Sequence, residues 1–144
     1  MKIGDRIHIE ISGIPKPGGS KRGFYRGGKV IITDACKGSK DWKSVVSYSA
    51  RQQYRGNPLT GSIRVYVTFR MPRPKYHFKK NGELSSKAEY YHTKKPDATK
   101  LMRSTEDALT GILWADDSQI YHQEITKMYD AKPGVTIEVE EIDA

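Results

Sequence analysis

Apolar and polar positions alternate most plainly at Ile63, Val65, Val67 and Phe69, with Arg64, Tyr66, Thr68 and Arg70 between them. Successive side chains of a strand face opposite ways, so this pattern predicts a strand with one face buried. Ile7, Ile9 and Ile11, separated by His8 and Glu10, predict a second, and Val135, Ile137 and Val139 a third near the other end of the chain. Lys29 to Thr33 predicts a short strand that could return beside the first as a hairpin. Gln119 to Tyr129 predicts a strand whose imperfect alternation implies a bulge. Lys132-Pro133-Gly134 reads as a turn, so the last two strands are expected to pair as an antiparallel hairpin.

Two stretches carry a helical period instead. Trp42, Val45, Val46 and Ser49 mark one side of a helix capped by Asp41 and running to about Tyr54. In KKPDATKLMRSTEDALTGILWADDSQI, Pro96 suits a first helical turn, so a helix is expected from near Asp97. Leu101, Ala108, Leu109 and Ile112 give it a buried face, and Lys100, Arg103 and Asp107 lie mostly elsewhere. Arg103 and Asp107 have the i,i+4 spacing of an ion pair, and Gly111 ends the helix ahead of Trp114. Gly13 to Gly28 and Met71 to Thr93 read as loops. The fold class expected is α+β: one domain over 1–144, with a mainly antiparallel or mixed sheet and two principal helices.

Charge turns this scaffold toward a partner. The chain is 36% hydrophobic and 29% charged with a net charge of +8, which favours a polyanion, nucleic acid before membrane. Neither a signal-peptide pattern nor a span of transmembrane length is evident. The single cysteine, Cys36, excludes an internal disulfide and suits a reducing cytosol. His8, His77, His92 and His122 are too scattered for a zinc site. Lys16, Lys21, Arg22 and Arg26 make the first loop basic, as a solvated connection or as a phosphate-contacting loop. In the second, Arg73, Lys75, Lys79, Lys80 and Lys87 are mixed with Tyr76, Phe78, Tyr90 and Tyr91. Cations for phosphate and rings for unstacked bases suit DNA; the alternative is a basic loop without defined contacts.

Three elements occur in order: Lys95-Pro96-Asp97, then Asp107-Ala108-Leu109-Thr110-Gly111, then Trp114-Ala115-Asp116-Asp117-Ser118-Gln119-Ile120. This series closely resembles the RusA family of Holliday-junction resolvases. The resemblance implies a RusA-like fold and a homodimeric, magnesium-dependent DNA endonuclease, with manganese as substitute metal. Such an enzyme resolves four-way junctions by paired symmetric nicks in recombination and repair, in the cytoplasm of a bacterial or phage-infected cell. A nuclease for flaps or other branched DNA, and an inactive junction-binding protein, are the alternatives. A basic structural protein would explain the charge without explaining the acids.

The same resemblance assigns roles. Asp97 matches the first acid of the family motif and Asp117 the aspartate beyond the helix, so both are expected to be catalytic and to hold the metal. They can meet only if the chain turns back after Gly111. Neighbouring residues on an extended segment point apart, which makes Asp116 a second ligand or a structural partner. Arg103 stands where the family has a catalytic lysine, and an arginine suffices there if the role is electrostatic. Lys94, Lys95, Lys100, Lys75, Lys79, Lys80, Lys21 and Arg22 are the expected DNA contacts. One departure matters: the family's second aspartate and the asparagine after it are Thr99 and Lys100 here. Asp116 or another acid such as Glu106 must compensate, or activity is altered or lost.

Overall fold

In the computed structural model, residues 6–18, 21–26, 29–34 and 39–143 are described, with backbone alone between 21 and 40. Strand β4 (Ser62–Met71) has every second side chain buried, from Ile63 to Met71, as its alternation requires. It lies inside a four-stranded mixed sheet ordered β1-β6-β4-β5. Here β1 is Arg6–Ser12, β5 is Ile120–Tyr129 and β6 is Gly134–Asp143. The apolar face of β1, β4 and β6 carries the core, and two helices supply Trp42, Val46, Ala50, Leu101, Met102 and Leu109 to it. Helix α1 spans Ser39–Gln53 and α2 spans Ala98–Leu109. On the other face Arg6 meets Glu138 at 2.7 Å and Arg64 meets Glu140 at 2.6 Å. The fold is α+β. No helix among the described residues is long and apolar enough to cross a membrane.

Several expectations need correction. The last two strands are not a hairpin: β4 lies between them, parallel to β5 and antiparallel to β6. Alternation and a tight turn fix the direction of two strands but not their adjacency, and the long crossover through α2 delivers β5 to the edge of β4. The link from Tyr129 to Gly134 then passes over the end of β4, where Asp130 N donates to Met71 O at 3.0 Å. Nor does the early strand return beside β1. Strand β3 (Lys29–Asp34) pairs instead with β2 (Lys21–Arg26) in a separate ribbon, in register Arg26↔Lys29. Gly27-Gly28 between them is the sequence signal of a two-residue hairpin that a loop assignment passes over. Helix α1 begins at Ser39, which puts Asp41 in its first turn rather than at its cap, and Val45 is exposed while Ala50 is buried. The bulge in β5 is present: Ile63 pairs with Ile120 and Arg64 with His122, leaving Tyr121 unopposed. Cys36 lies outside the described residues.

Two segments frame α2. Gly18 N donates to Lys100 O at 2.8 Å and Ser104 Oγ to Lys16 O at 2.7 Å, which lays residues 14–18 along the helix. A Cβ at Gly18 would come within 3.1 Å of Ser104 N, so a larger residue would need the segment to give by a few tenths of an ångström. The long 71–93 segment is irregular, apart from a short 3-10 turn over Lys75–His77, but it is anchored. The His77 and His92 rings pack edge-on against Tyr129, centroids 4.6 and 5.0 Å away. His92 N donates to Lys127 O, and Tyr129 N to Tyr90 O, each at 3.0 Å, laying residues 90–92 antiparallel along the outer edge of the last stretch of β5.

Candidate functional site

Helix α2 faces β5 across a groove, and the two run in opposite directions. At one end Lys127 Nζ donates to the carbonyls of Lys94 and Pro96, both at 2.8 Å, just ahead of Asp97. In the middle, Thr99, Met102 and Arg103 line a cleft of about 140 Å³ with Gln123 and Ile125. Glu106 closes that cleft and shares a further one, of about 270 Å³, with Asp117 and His122. Two rulers agree on the span. Asp97 to Glu106 along a helix at about 1.5 Å per residue is roughly 13 Å. Gln123 to Lys127 along a strand at about 3.3 Å per residue is also roughly 13 Å.

The turn that delivers Asp117 follows from local chemistry. Gly111 takes a φ of 89°, open to glycine, and its N donates to Trp114 O at 2.7 Å. Trp114 is fully buried, its Nε1 donating to Thr110 Oγ1 at 3.0 Å. Leu59 pairs with both sides of this turn, its N donating to Leu113 O and its O accepting from Ala115 N. A short 3-10 turn over Asp117–Gln119 follows, capped reciprocally: Asp116 Oδ1 accepts from Ser118 N at 2.9 Å and Gln119 Oε1 from Asp116 N at 2.7 Å. Gln119 Nε2 also donates to the carbonyls of Leu59 and Gly61. Asp116 is thereby occupied in the turn, and the hydrogen bonds from Ser118 hold its carboxyl below the usual carboxylate range. Exposed Asp117 points its charge toward half-buried Glu106. Burial, then the charge of Asp117 and then that of Asp107, push the Glu106 carboxyl up.

The chain therefore does turn back after Gly111, but it brings Asp117 to Glu106 while Asp97 caps the far end of α2. Among the described residues, no three His, Cys, Asp or Glu side chains are grouped closely enough to hold a metal. The side chain of Asp97 makes no capping hydrogen bond. Burial lowers the Lys127 pKa, and the charge of Asp97 opposes that. Asp97 also lines a cavity of about 570 Å³ with Lys95, Lys100 and His92. Arg103 is exposed in the groove, and among the described residues it makes no hydrogen bond or ion pair. The expected Arg103–Asp107 pair is replaced by Lys43–Asp107 at 3.3 Å, because α1 packs beside α2 and offers the nearer cation. Lys94, Lys95, Lys100, Lys75, Lys79 and Lys80 are exposed, as are Tyr76 and Tyr90 at 70% and 58%. Lys21 and Arg22 lie on β2, where the backbone alone is described.

Sequence reasoning named Glu106 only as one acid that could compensate for Thr99, and passed over Lys127 altogether. The signal for Lys127 was its place in the series Gln123, Ile125, Lys127, Tyr129 on one side of β5. Reading strands by their apolar members gives such a lysine no weight.

The family model described as endodeoxyribonuclease RusA matches residues 14–140. YqaN of Bacillus subtilis strain 168, described as an uncharacterised protein, is 32% identical over 142 residues, covering 97% of this chain and 99% of its own. With the family model spanning nearly the whole chain, this protein belongs to the RusA endodeoxyribonuclease family.

Proposed function

We propose that the protein is a structure-selective endonuclease that binds four-way DNA junctions and resolves them with paired nicks. The observation that carries this reading is the approach of two carboxylates, Asp117 and Glu106, in a groove beside Arg103, which has no ion-pair partner among the described residues. Two acids on one groove, with Glu106 raised first by burial and then by the charge of Asp117, suit a divalent cation that offsets both costs. Magnesium takes oxygen from one or two carboxylates and keeps its other positions for water and phosphate. The donor set fits, and manganese would serve in its place. Bound there, the metal would supply an activated water and charge stabilisation at the phosphate. Arg103, permanently charged, faces the developing negative charge without needing to give up a proton. Lys94, Lys95 and Lys100 fix the strand by its phosphates. A C2 homodimer presents two such grooves related by the two-fold symmetry of a junction, as paired nicks require.

The test is cleavage of a labelled synthetic junction with magnesium, beside linear duplex and flap controls. Paired symmetric nicks by the wild type, lost in Asp117→Asn and in Glu106→Gln with binding retained, support the reading. Preference for the flap would make the protein a nuclease of other branched DNA. Metal titration settles Asp97: a fall in affinity in Asp97→Asn equal to that in Asp117→Asn makes it a ligand, and an unchanged affinity makes it a positioning group. A second reading, an inactive junction-binding protein, draws on Thr99 and on the lack of a three-acid group among the described residues. Tight binding with no cutting in either metal would establish it.

A further inference from the structure

The 570 Å³ cavity beside Asp97 lies next to the groove, and the chemistry proposed above leaves it without a role. Its size falls within the roughly 300–1,000 Å³ of small-ligand sites. Its walls are apolar and rigid: Pro15, Pro72 and Pro96, with Ile14 and Met71. Three cations, Lys16, Lys95 and Lys100, surround this apolar slot, and all three are exposed. His92 also lines it and is only 8% exposed, closing the floor of the slot with its ring.

The geometry points to a nucleotide site: the cavity takes one unstacked nucleotide of the bound DNA, base inward and phosphate toward the lysines. This rests on the reading of the protein as a branched-DNA nuclease. Flat proline faces suit a base, and a ring nitrogen of a neutral imidazole can donate to or accept from a base edge according to tautomer. Burial and the nearby Lys127 charge favour that neutral form. Three ammonium groups at the rim match the phosphate that follows the base. Unstacking a base costs a few kcal/mol in a duplex and least where it is already unpaired, so the exchange point of a junction is the favourable donor. Asp97 lies on both the cavity and the groove, so a nucleotide seated here holds its neighbouring phosphate along α2. The cavity would thereby select DNA with a nucleotide free to leave the stack.

The experiment places 2-aminopurine at successive positions about the exchange point and reads fluorescence with protein in EDTA, where no cutting occurs. Stacked 2-aminopurine is dim. His92 supplies the one aromatic ring among the lining residues described, so a seated base should brighten at least about threefold at one position. Ile14→Glu, at an exposed site on the mouth, should abolish the rise when read at protein concentrations that saturate the junction by gel shift. A retarded complex with no brightening, or brightening that survives Ile14→Glu, overturns the proposal. A single-stranded 2-aminopurine oligonucleotide separates the two readings. Ile14-dependent brightening on it without junction binding upholds the cavity and overturns the resolvase. Thermal protection by free dAMP, with no brightening on either DNA, would make this a mononucleotide site and overturn it as a DNA contact.

Discussion

Replacing Lys127 with methionine keeps its length and apolar stem but removes the ammonium that ties β5 to the segment before Asp97. Two charge-assisted hydrogen bonds of 2.8 Å go with it, to the carbonyls of Lys94 and Pro96. Bonds of that kind contribute about 1.5–3 kcal/mol each when the freed partner stays buried. Lys94 is exposed and water can reclaim its carbonyl, whereas Pro96 is half-buried, so the sum is about 2–3 kcal/mol. For a domain of this size, at about 3 °C per kcal/mol, the melting temperature should fall by about 6–10 °C. Asp97 also loses its neighbouring cation and the tether on the chain that leads to it. A reacting group misplaced by about 1 Å can lose about a hundredfold in rate. Junction cleavage by Lys127→Met is therefore expected to fall at least about tenfold under single-turnover conditions, with affinity by gel shift within about threefold. The exposed lysines at 94, 95 and 100 remain to hold phosphate. A variant that melts and cleaves like the wild type would refute the claim that Lys127 positions Asp97.

Three further substitutions probe the groove and its turn. Burial and Asp117 raise the Glu106 pKa above 4.5, so the folded state holds that proton more tightly than the unfolded chain. The stability this gives is full below the unfolded value and lost as pH rises through the folded one. Glu106→Gln should accordingly melt above the wild type at neutral pH, with the gap closing in acid and magnesium stabilising only the wild type; denaturation scans from pH 4 to 7 check this. Gly111→Ala meets no atom within 4 Å, so its cost is the positive φ alone, about 1–2 kcal/mol by chemical denaturation. Asp116→Ala loses the cap of the turn, about 1 kcal/mol, and should retain measurable cleavage where Asp117→Asn retains none.

How far the sequence discloses this fold depends on what each residue type encodes. Strands β1, β4 and β6 were legible because one side of each is buried and the alternation records it. Strand β5 is exposed along half of its length, and its pattern told of a bulge but nothing of its neighbour. Adjacency is decided by the crossover, and no local pattern carries it. The motif's two aspartates were likewise legible as chemistry but not as geometry. The resemblance set Asp117 ahead of Asp116, but the physical difference between them is a hydrogen bond from Ser118 to Asp116 that only a folded turn defines. Glu106 reads as one more helical surface charge until Asp117 arrives beside it from beyond the helix.

The equal span of α2 and β5 along the groove also bears on how this chain can tolerate changes of length. One residue added to α2 between Asp97 and Glu106 turns everything beyond it by about 100°, carrying Glu106 away from β5. One added to β5 between Gln123 and Lys127 sends Lys127 to the opposite side of the sheet. Neither error can be absorbed locally, since Leu101, Met102 and Leu109 on the helix are already committed to the core. The exposed residues 79–82 face no such constraint: a longer loop there costs only a slowly growing closure entropy. Insertions and deletions should thus be accepted in the basic loop and refused along the groove, which lets the reach of the loop vary while the spacing of the acids stays fixed.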